Sequence, residues 1–100
     1  VRSVVAHVKD IRIDRQLLAE IRRCSAAERR ELGAAIAAAQ ELFGSPHTHA
    51  GASVRKLSGR WYEVRASLAR RLVFRECDDC LSFEFMGNHD EVQRFLKTAP

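Results

Sequence analysis

The chain has 100 residues, of which 46% are hydrophobic and 30% are charged, so it has the composition of one globular domain rather than of a disordered segment. The longest uninterrupted apolar run, Ala34 to Ala39, is far shorter than the roughly 20 residues that a membrane-spanning helix needs. No N-terminal stretch has the order of basic, apolar and small residues of a secretory signal. We therefore expect a single cytoplasmic domain over residues 1–100 that does not act at a membrane.

The charge is unevenly distributed along the chain. The 17 basic and 13 acidic residues leave a net charge of +4. One segment, between Arg55 and Arg75, contains a single acid, Glu63, so the rest of the chain is slightly acidic. The basic residues of that segment are Arg55, Lys56, Arg60, Arg65, Arg70, Arg71 and Arg75. Such a block favours a phosphate-bearing or acidic partner, although a solvated strand face would have the same composition.

The first half of the chain predicts one strand followed by a helical hairpin. β-Branched residues with loose alternation favour a strand within Val4 to Ile13. One helix follows Asp14 as capping residue, and a second follows the capping box Ser25 to Glu28 and ends at Gly44 to Pro46. Apolar residues recur at helical spacing at Leu17, Leu18 and Ile21 in the first helix and at Leu32, Ile36, Ala39 and Phe43 in the second.

The second half predicts short strands that end in a helix. Turn residues stand at Ser58-Gly59 and Asp78-Asp79, and a helix over His89 to Lys97 closes the chain. The predicted strands are Val54 to Leu57, Arg60 to Ala66, Arg70 to Glu76 and Leu81 to Met86. Helices followed by hairpins predict an α+β fold: a twisted, antiparallel-rich sheet of four to five strands packed on the N-terminal helical hairpin, with a short C-terminal helix.

Alternation along the strands assigns the side chains to two faces of the sheet. Leu72 and Phe74 on one strand, and Leu81, Phe83 and Phe85 on the next, are expected to face the helices. The open face would then carry Lys56, Trp61, Glu63, Arg65, Arg71, Arg75 and Glu84. His89 follows the last strand and is expected at the rim of that open face.

These residue types fit the cleavage of RNA. Arginines bind phosphate through forked hydrogen bonds, Trp61 offers a stacking surface for a base, and His89 can exchange protons near neutrality. Cleavage needs a base for the 2′-hydroxyl, cations for the phosphate and an acid for the leaving oxygen. Glu63 or His89 could be the base, Arg65 and Arg71 the phosphate clamp, and His89 the acid. We assign Lys56, Arg55, Arg70, Arg75 and Trp61 to RNA or phosphate binding.

A structural alternative stays open for the charged strand residues. Arginine and glutamate on neighbouring strands often pair across a sheet, and for Glu63 this explains the residue equally well. In that case the face would be a stabilised surface rather than a binding site. A plain nucleic-acid-binding domain that leaves RNA uncut is a further alternative.

Three motifs in order resemble those of the RelE/ParE superfamily of bacterial toxins. The first is Leu57 to Arg65, with a glycine turn, an aromatic residue and a strand arginine. The second is Arg71 to Phe74, and the third is Phe85 to Val92, where Gly87 and His89 open the final helix. The resemblance covers roughly residues 40 to 97, and the preceding helical hairpin agrees in order and length.

The resemblance implies a toxin that cuts messenger RNA in the ribosomal A site without a metal or other cofactor. It places the strand arginine on Arg65, the second arginine on Arg71 with Arg70 as a contender, and the catalytic histidine on His89. A cognate antitoxin that wraps the toxin in a hetero-oligomer is the implied partner. The alternative within this fold is a non-enzymatic module, either a ParE-like gyrase poison or a degenerate toxin that binds an antitoxin. His89 favours the nuclease.

The remaining histidines and the cysteines are weaker signals. His47 and His49 could support catalysis, although an exposed polar loop explains them as well. Cys77 and Cys80 form half of a zinc site that Cys24 or the histidine loop would have to complete. Reduced thiols are the default in the cytoplasm, so we expect no metal.

Overall fold

Five strands and three helices make up residues 8–44 and 53–99, the part of the chain that the computed structural model describes. They are β1 (Asp10–Ile13), α1 (Arg15–Arg22), α2 (Ala26–Gly44), β2 (Val54–Ser58), β3 (Trp61–Ser67), β4 (Arg70–Glu76), β5 (Cys80–Gly87) and α3 (His89–Thr98). The predicted N-terminal strand is thus confirmed over its last four residues, Val8 and Lys9 are described but do not belong to it, and residues 4–7 lie outside the described residues. None of the helices in the described ranges is long and apolar enough to cross a membrane.

The strands form one mixed sheet in the order β1-β5-β4-β3-β2. β1 pairs with β5 in parallel, and the other neighbours are antiparallel. The predicted α+β class and the antiparallel-rich sheet are confirmed. The parallel pair joins the first described strand to the last one. The five-stranded sheet is therefore complete only when both halves of the chain have folded.

Local signals in the sequence set the ends of the elements. The carboxylate of Asp14 accepts hydrogen bonds from two backbone N–H groups at the start of α1, at 3.0 and 3.2 Å. At the start of α2, the Glu28 N–H donates to Ser25 Oγ at 3.1 Å, and the Ser25 N–H donates to Glu28 Oε1 at 2.8 Å. The β2–β3 turn contains Gly59 with a φ of 55°, a conformation that glycine adopts without strain.

The larger core lies between the sheet and the helices α1 and α2, on what we call the hairpin face. Phe74 is fully buried at its centre, with its ring 4.8 Å from that of Phe83 and 5.7 Å from that of Phe43. The buried members are Leu17, Leu32, Ala35, Ala39, Val64, Leu72, Phe74, Leu81 and Phe83. Burial of these side chains is the main stabilising contribution to the fold.

The opposite side of the sheet, which we call the α3 face, is not open along its whole length. Helix α3 packs on it and buries Trp61, Val73 and Val92. The ring of Phe95 lies 5.5 Å from that of Trp61 and 4.7 Å from that of Phe85. The expectation of a sheet covered on one face only is therefore corrected: the sheet lies between two helical layers, and only part of the α3 face is left for charged side chains.

A bulge in β5 reverses the predicted faces of its last residues. The register passes from Phe74↔Phe83 to Val73↔Phe85, so Glu84 is the extra residue on the β5 side. Phe85 consequently packs against the α3 cluster, the opposite of its predicted face, and Met86 packs against the hairpin core. One inserted residue is enough for this, because the side-chain period of a strand is two.

Candidate functional site

Two arginines and one histidine come from one end of the sheet, where β3 and β5 end and β4 begins, beside the start of α3. Arg65 and Arg71 are direct partners across β3 and β4, and Arg71 is in turn the partner of Gly87 on β5. Directly opposite residues of an antiparallel pair have Cα atoms about 4.5–5.5 Å apart and share one face. His89 follows Gly87 by two residues and begins α3. The register therefore places Arg65 and Arg71 side by side on the same face of the sheet.

The position of His89 depends on a tight connection between β5 and α3. The Asn88 side chain accepts a hydrogen bond from the Glu91 N–H at 2.9 Å, and the Glu91 carboxylate accepts one from the Asn88 N–H at 2.8 Å. A Cβ atom at Gly87 would lie 2.9 Å from side-chain atoms of Glu91 and Phe85. Glycine and the reciprocal cap thus fix the start of α3, where the His89 side chain is exposed two residues after Gly87, the strand partner of Arg71.

Glu63 is a buried carboxylate between two arginines. It is 6% exposed, and its Oε2 lies 3.1 Å from the Arg55 guanidinium and 3.5 Å from Arg71 Nε. Arg71 Nε and the second oxygen, Oε1, have no hydrogen-bond partner, so the Arg71 contact is electrostatic rather than a formed hydrogen bond. Because Arg55 and Glu63 are also partners across β2 and β3, the cross-strand ion pair is the arrangement found, and Glu63 is enclosed rather than open to a substrate.

The other predicted cations divide between the two faces. Arg65 is exposed and takes part in no ion pair among the described residues. Arg70, the contender for Arg71, lies on the hairpin side, 3.5 Å from Glu28 and 3.7 Å from the Cys24 sulfur. The assignment of Arg70 to the phosphate site is therefore corrected, since alternation directs neighbouring strand residues to opposite faces.

Lys56 also differs from its predicted placement. It is the partner of Tyr62, whose ring packs on Phe74 in the hairpin core, so Lys56 shares the hairpin side of the sheet edge. Leu57 instead packs against the α3 cluster, and the register shifts between Lys56 and Ser58. The expected placement of Lys56 on the open face is therefore corrected. Arg55 takes the place that the prediction gave to Lys56.

Trp61 is on the predicted face but is not a free stacking platform. It is 8% exposed, since α3 covers it, and the Arg75 guanidinium carbon lies 5.9 Å from its ring centre. A stacked base would have to displace Phe95, so the expected role of Trp61 is corrected to a packing role. The exposed Arg75 is four residues from Arg71 along β4, about 13 Å at the rise of an extended strand.

The remaining predicted ligands do not gather around a metal. His47 and His49 lie outside the described residues. Cys24 is next to Arg70 at the start of β4, whereas Cys77 and Cys80 flank the turn after its end, so Cys24 and the pair are at opposite ends of the strand. Within residues 8–44 and 53–99, no three histidine, cysteine or acidic side chains form a cluster that could hold a metal ion.

Comparison with known proteins gives matches among solved structures. No protein-family model matches the chain, and no curated protein sequence matches it. RelE in the archaeal RelE-RelB complex of Pyrococcus horikoshii is 16% identical with a TM-score of 0.62, covering 81% of this chain and 94% of that one. An E. coli toxin RelE mutant bound to an antitoxin RelBc peptide is 18% identical with a TM-score of 0.61, covering 93% and 96%.

The E. coli toxin YafQ is a further structural neighbour. In its complex with DinJ it is 19% identical with a TM-score of 0.51, covering 84% of this chain and 96% of that one. At such identities the likeness establishes the fold and leaves the activity to the chemistry of the site. The chain therefore has the RelE/ParE-like toxin fold that its sequence motifs predict, with RelE and YafQ toxins as its structural neighbours.

Proposed function

We propose that this protein is the toxin of a type II toxin–antitoxin system and cleaves messenger RNA as a metal-independent endoribonuclease. The observation that carries the proposal is the direct pairing of Arg65 with Arg71, one strand away from the connection that leads to His89. Two cations and one imidazole from a single sheet end supply cations for the phosphate and an acid for the leaving oxygen, while water accepts the 2′-proton. The cytoplasm and the ribosomal A site are part of the same proposal, through the fold that the chain shares with RelE.

The two arginines would hold the scissile phosphate. As the 2′-oxygen attacks the adjacent phosphorus, its proton passes to water, a cyclic phosphate forms and the bond to the 5′-oxygen breaks. Negative charge accumulates on the phosphate oxygens during this step. Guanidinium groups stabilise this charge through paired hydrogen bonds without themselves losing a proton. Arg65 is exposed and available to the substrate, whereas Arg71 is 15% exposed and held beside Glu63.

His89 would transfer the proton to the leaving 5′-oxygen. Its imidazole is exposed at the first position of α3, and histidine is the side chain that most often transfers protons in general acid catalysis. Glu63 is buried in ion pairs with Arg55 and Arg71, so we assign it the positioning of Arg71 rather than the abstraction of the 2′-proton. The negative charge of Glu63 would hold the Arg71 guanidinium in place.

The proposed protein partner is a cognate antitoxin. The RelE neighbours were crystallised with RelB, and a YafQ neighbour was crystallised with DinJ. An antitoxin that binds this chain would form a hetero-oligomer and block the approach of messenger RNA to the site. Growth arrest should therefore follow expression of the chain alone and disappear when its antitoxin is produced in the same cell.

The decisive experiment is to map the ends of cellular messages after a short pulse of expression. Wild-type protein should arrest growth and create new 5′ ends within coding regions, whereas His89→Ala and Arg65→Ala should do neither. Arg30→Ala is the matched control, since Arg30 is an exposed arginine on α2 without an ion pair among the described residues. If wild type and His89→Ala arrest growth and cleave messages to the same extent, the proposed role of His89 in cleavage is wrong.

A non-enzymatic action is the second candidate, and one observation favours it. Arg71 is largely buried and paired with Glu63, which is also what a purely structural ion pair requires. A gyrase poison of this fold would induce the response to DNA damage while messages remain intact. Intact messages together with salt-dependent binding of RNA would instead indicate a nucleic-acid-binding module.

A further inference from the structure

Two cysteines face each other across the turn between β4 and β5. Glu76 and Leu81 are the last partners in the register of these strands. One step further, the Cys77 N–H donates a hydrogen bond to the Cys80 carbonyl at 2.8 Å. Facing residues of an antiparallel pair have a Cα separation within the range of about 4.4–6.8 Å that a disulfide spans. The hairpin therefore places two thiols at a distance suited to a disulfide.

The turn that separates the cysteines is fixed from outside. Lys9 Nζ donates to the carbonyl oxygens of Cys77 and Asp78, both at 2.9 Å. The Asp10 N–H donates to the Asp79 carbonyl, also at 2.9 Å. These contacts restrict the backbone on both sides of the turn. The two thiols are held near each other before any bond forms, which favours an intramolecular reaction over one between chains.

The two thiols differ in access and influence each other. Cys80 is 2% exposed, whereas Cys77 is half-buried. Burial raises the pKa of the Cys80 thiol, and the neighbouring Cys77 thiol raises it further, while Arg12 and Arg75 act in the opposite direction. The interaction between the two groups agrees with the backbone register. Cys77 is the thiol that a soluble disulfide can reach first.

We propose that Cys77 and Cys80 are a redox modification site that forms a reversible disulfide by exchange with a low-molecular-weight disulfide of the glutathione class. The Cys77 thiolate attacks one sulfur of the oxidised reagent, which gives a mixed disulfide and releases one reduced thiol. The Cys80 thiolate then attacks the Cys77 sulfur and releases the second. The protein loses two protons and two electrons, which together are two hydrogen atoms, and the reagent gains them.

The site is separate from the candidate nuclease centre. Cys77 is six residues from Arg71, about 20 Å along an extended strand. The proposal therefore does not depend on the proposed function, and either can fail alone. Lys9 and Asp10 hold β1 against the turn of this hairpin. A disulfide between Cys77 and Cys80 would restrict that turn and thereby stabilise the β1–β5 edge of the sheet.

The test is to equilibrate the reduced full chain with mixtures of reduced and oxidised glutathione, quench in acid, and alkylate the remaining thiols. At the oxidising end, the intact mass should show one alkylated cysteine and the loss of two hydrogen atoms. Peptide mapping should locate the bond between Cys77 and Cys80, with Cys24 alkylated. Excess reduced glutathione should restore three reactive thiols.

Single variants separate the steps of the exchange. Cys24→Ser should form the disulfide like the wild type, which makes it the matched control. Cys80→Ser should retain glutathione on Cys77, whereas Cys77→Ser should carry none, since Cys80 is buried. Three alkylated cysteines under the most oxidising mixture, or a bond that involves Cys24 or a second chain, would overturn the proposal.

Discussion

At the scale of single residues, Glu63 is the one charged residue that is buried among the residues that the structure describes. It is buried and lies within ion-pair distance of Arg55 and Arg71. Removing one partner of a buried ion pair leaves the other charge without compensation, and this costs more than the pair itself contributes. The carboxylate therefore adds little net stability, but it supplies the counter-charge that the largely buried Arg71 guanidinium needs.

Substitution Glu63→Gln keeps the shape of the side chain and removes its charge. We expect the free energy of unfolding to fall by about 3 kcal/mol, because Arg71 loses its counter-charge inside the fold. Urea denaturation of the purified variant measures this value. Glu41→Gln, at an exposed position on α2, should shift it by less than about 0.5 kcal/mol. Equal stability of the two variants would show that Arg71 does not need Glu63.

Two glycines offer an opposed pair of substitutions. Gly87→Ala places a Cβ 2.9 Å from side-chain atoms of Glu91 and Phe85, so we expect a loss of roughly 1–3 kcal/mol and a displaced start of α3. Gly33→Ala on α2 meets no atom within 4 Å, so we expect a gain of about 0.5–1 kcal/mol. Thermal unfolding of both variants measures these changes in stability. A change of the same sign in the two variants would contradict the close contact at Gly87.

At the scale of elements, the start of α2 carries a pH-dependent contribution to stability. Hydrogen bonds from the backbone and side chain of Ser25 lower the pKa of Glu28 below its ordinary value of 4.5, and Arg70 adds to this. A folded-state pKa below the unfolded one means that the contribution is present above about pH 4.5 and is lost as the pH falls through the folded-state pKa. Acid therefore weakens the cap of α2.

The variant Glu28→Gln isolates this effect, since glutamine also closes a capping box but does not titrate. The difference in stability between wild type and variant should be constant at neutral pH and should shrink as the pH falls below 4.5. Urea denaturation over a series of acidic buffers measures it. A difference that stays constant down to pH 2 would exclude a role for the Glu28 charge.

Helix α3 covers the second face of the sheet, and the packing of α3 against Trp61 can be measured by fluorescence. Trp61 is the single tryptophan of the chain, so its emission reports the packing of this face. Phe95→Ala should shift the emission to longer wavelength and lower the stability by about 2–3 kcal/mol, because water reaches the indole. Gln93→Ala, at an exposed α3 position, should change neither.

Local chemistry explains which elements the sequence predicts correctly. The capping residue Asp14, the capping box at Ser25 and Glu28 and the turn at Gly59 act over a few residues, and each stands where predicted. The bulge at Glu84 has no local signature, yet it reverses the faces of Phe85 and Met86. The candidate site was predictable where alternation is regular, at Arg65 and Arg71, and not where bulges or α3 intervene, at Lys56 and Trp61.

At the scale of the whole molecule, the basic block of the sequence is divided between the two sides of the sheet. Arg55, Arg65, Arg71 and Arg75 belong to the α3 face by register, whereas Arg70 and Lys56 lie on the hairpin side. A polyanion that follows the α3 face would therefore meet only part of the +6 charge of the segment. This limits the number of phosphates that one RNA strand can contact.

Binding of RNA should depend on salt to a degree set by that limited number of contacts. For a single strand, the slope of log K against log salt concentration is about −0.7 per phosphate neutralised. Since Glu63 offsets one of the four arginine charges on the α3 face, about three contacts are expected, which predicts a slope near −2. Fluorescence anisotropy of labelled RNA with His89→Ala, which should bind without cutting, measures the slope. Arg65→Ala should reduce its magnitude by about 0.7 and Arg30→Ala by nothing.

The parallel pairing of β1 with β5 also has a consequence for biosynthesis. Asp10 and its partner Cys80 are 70 residues apart, so β1 has no neighbouring strand until about 70 further residues have been translated. At about 5–20 residues per second, the nascent polypeptide waits about 4–14 s for that neighbour. His89 and Phe95 are added later still. A partly translated chain thus has neither its complete sheet nor the histidine on which the proposed cleavage depends.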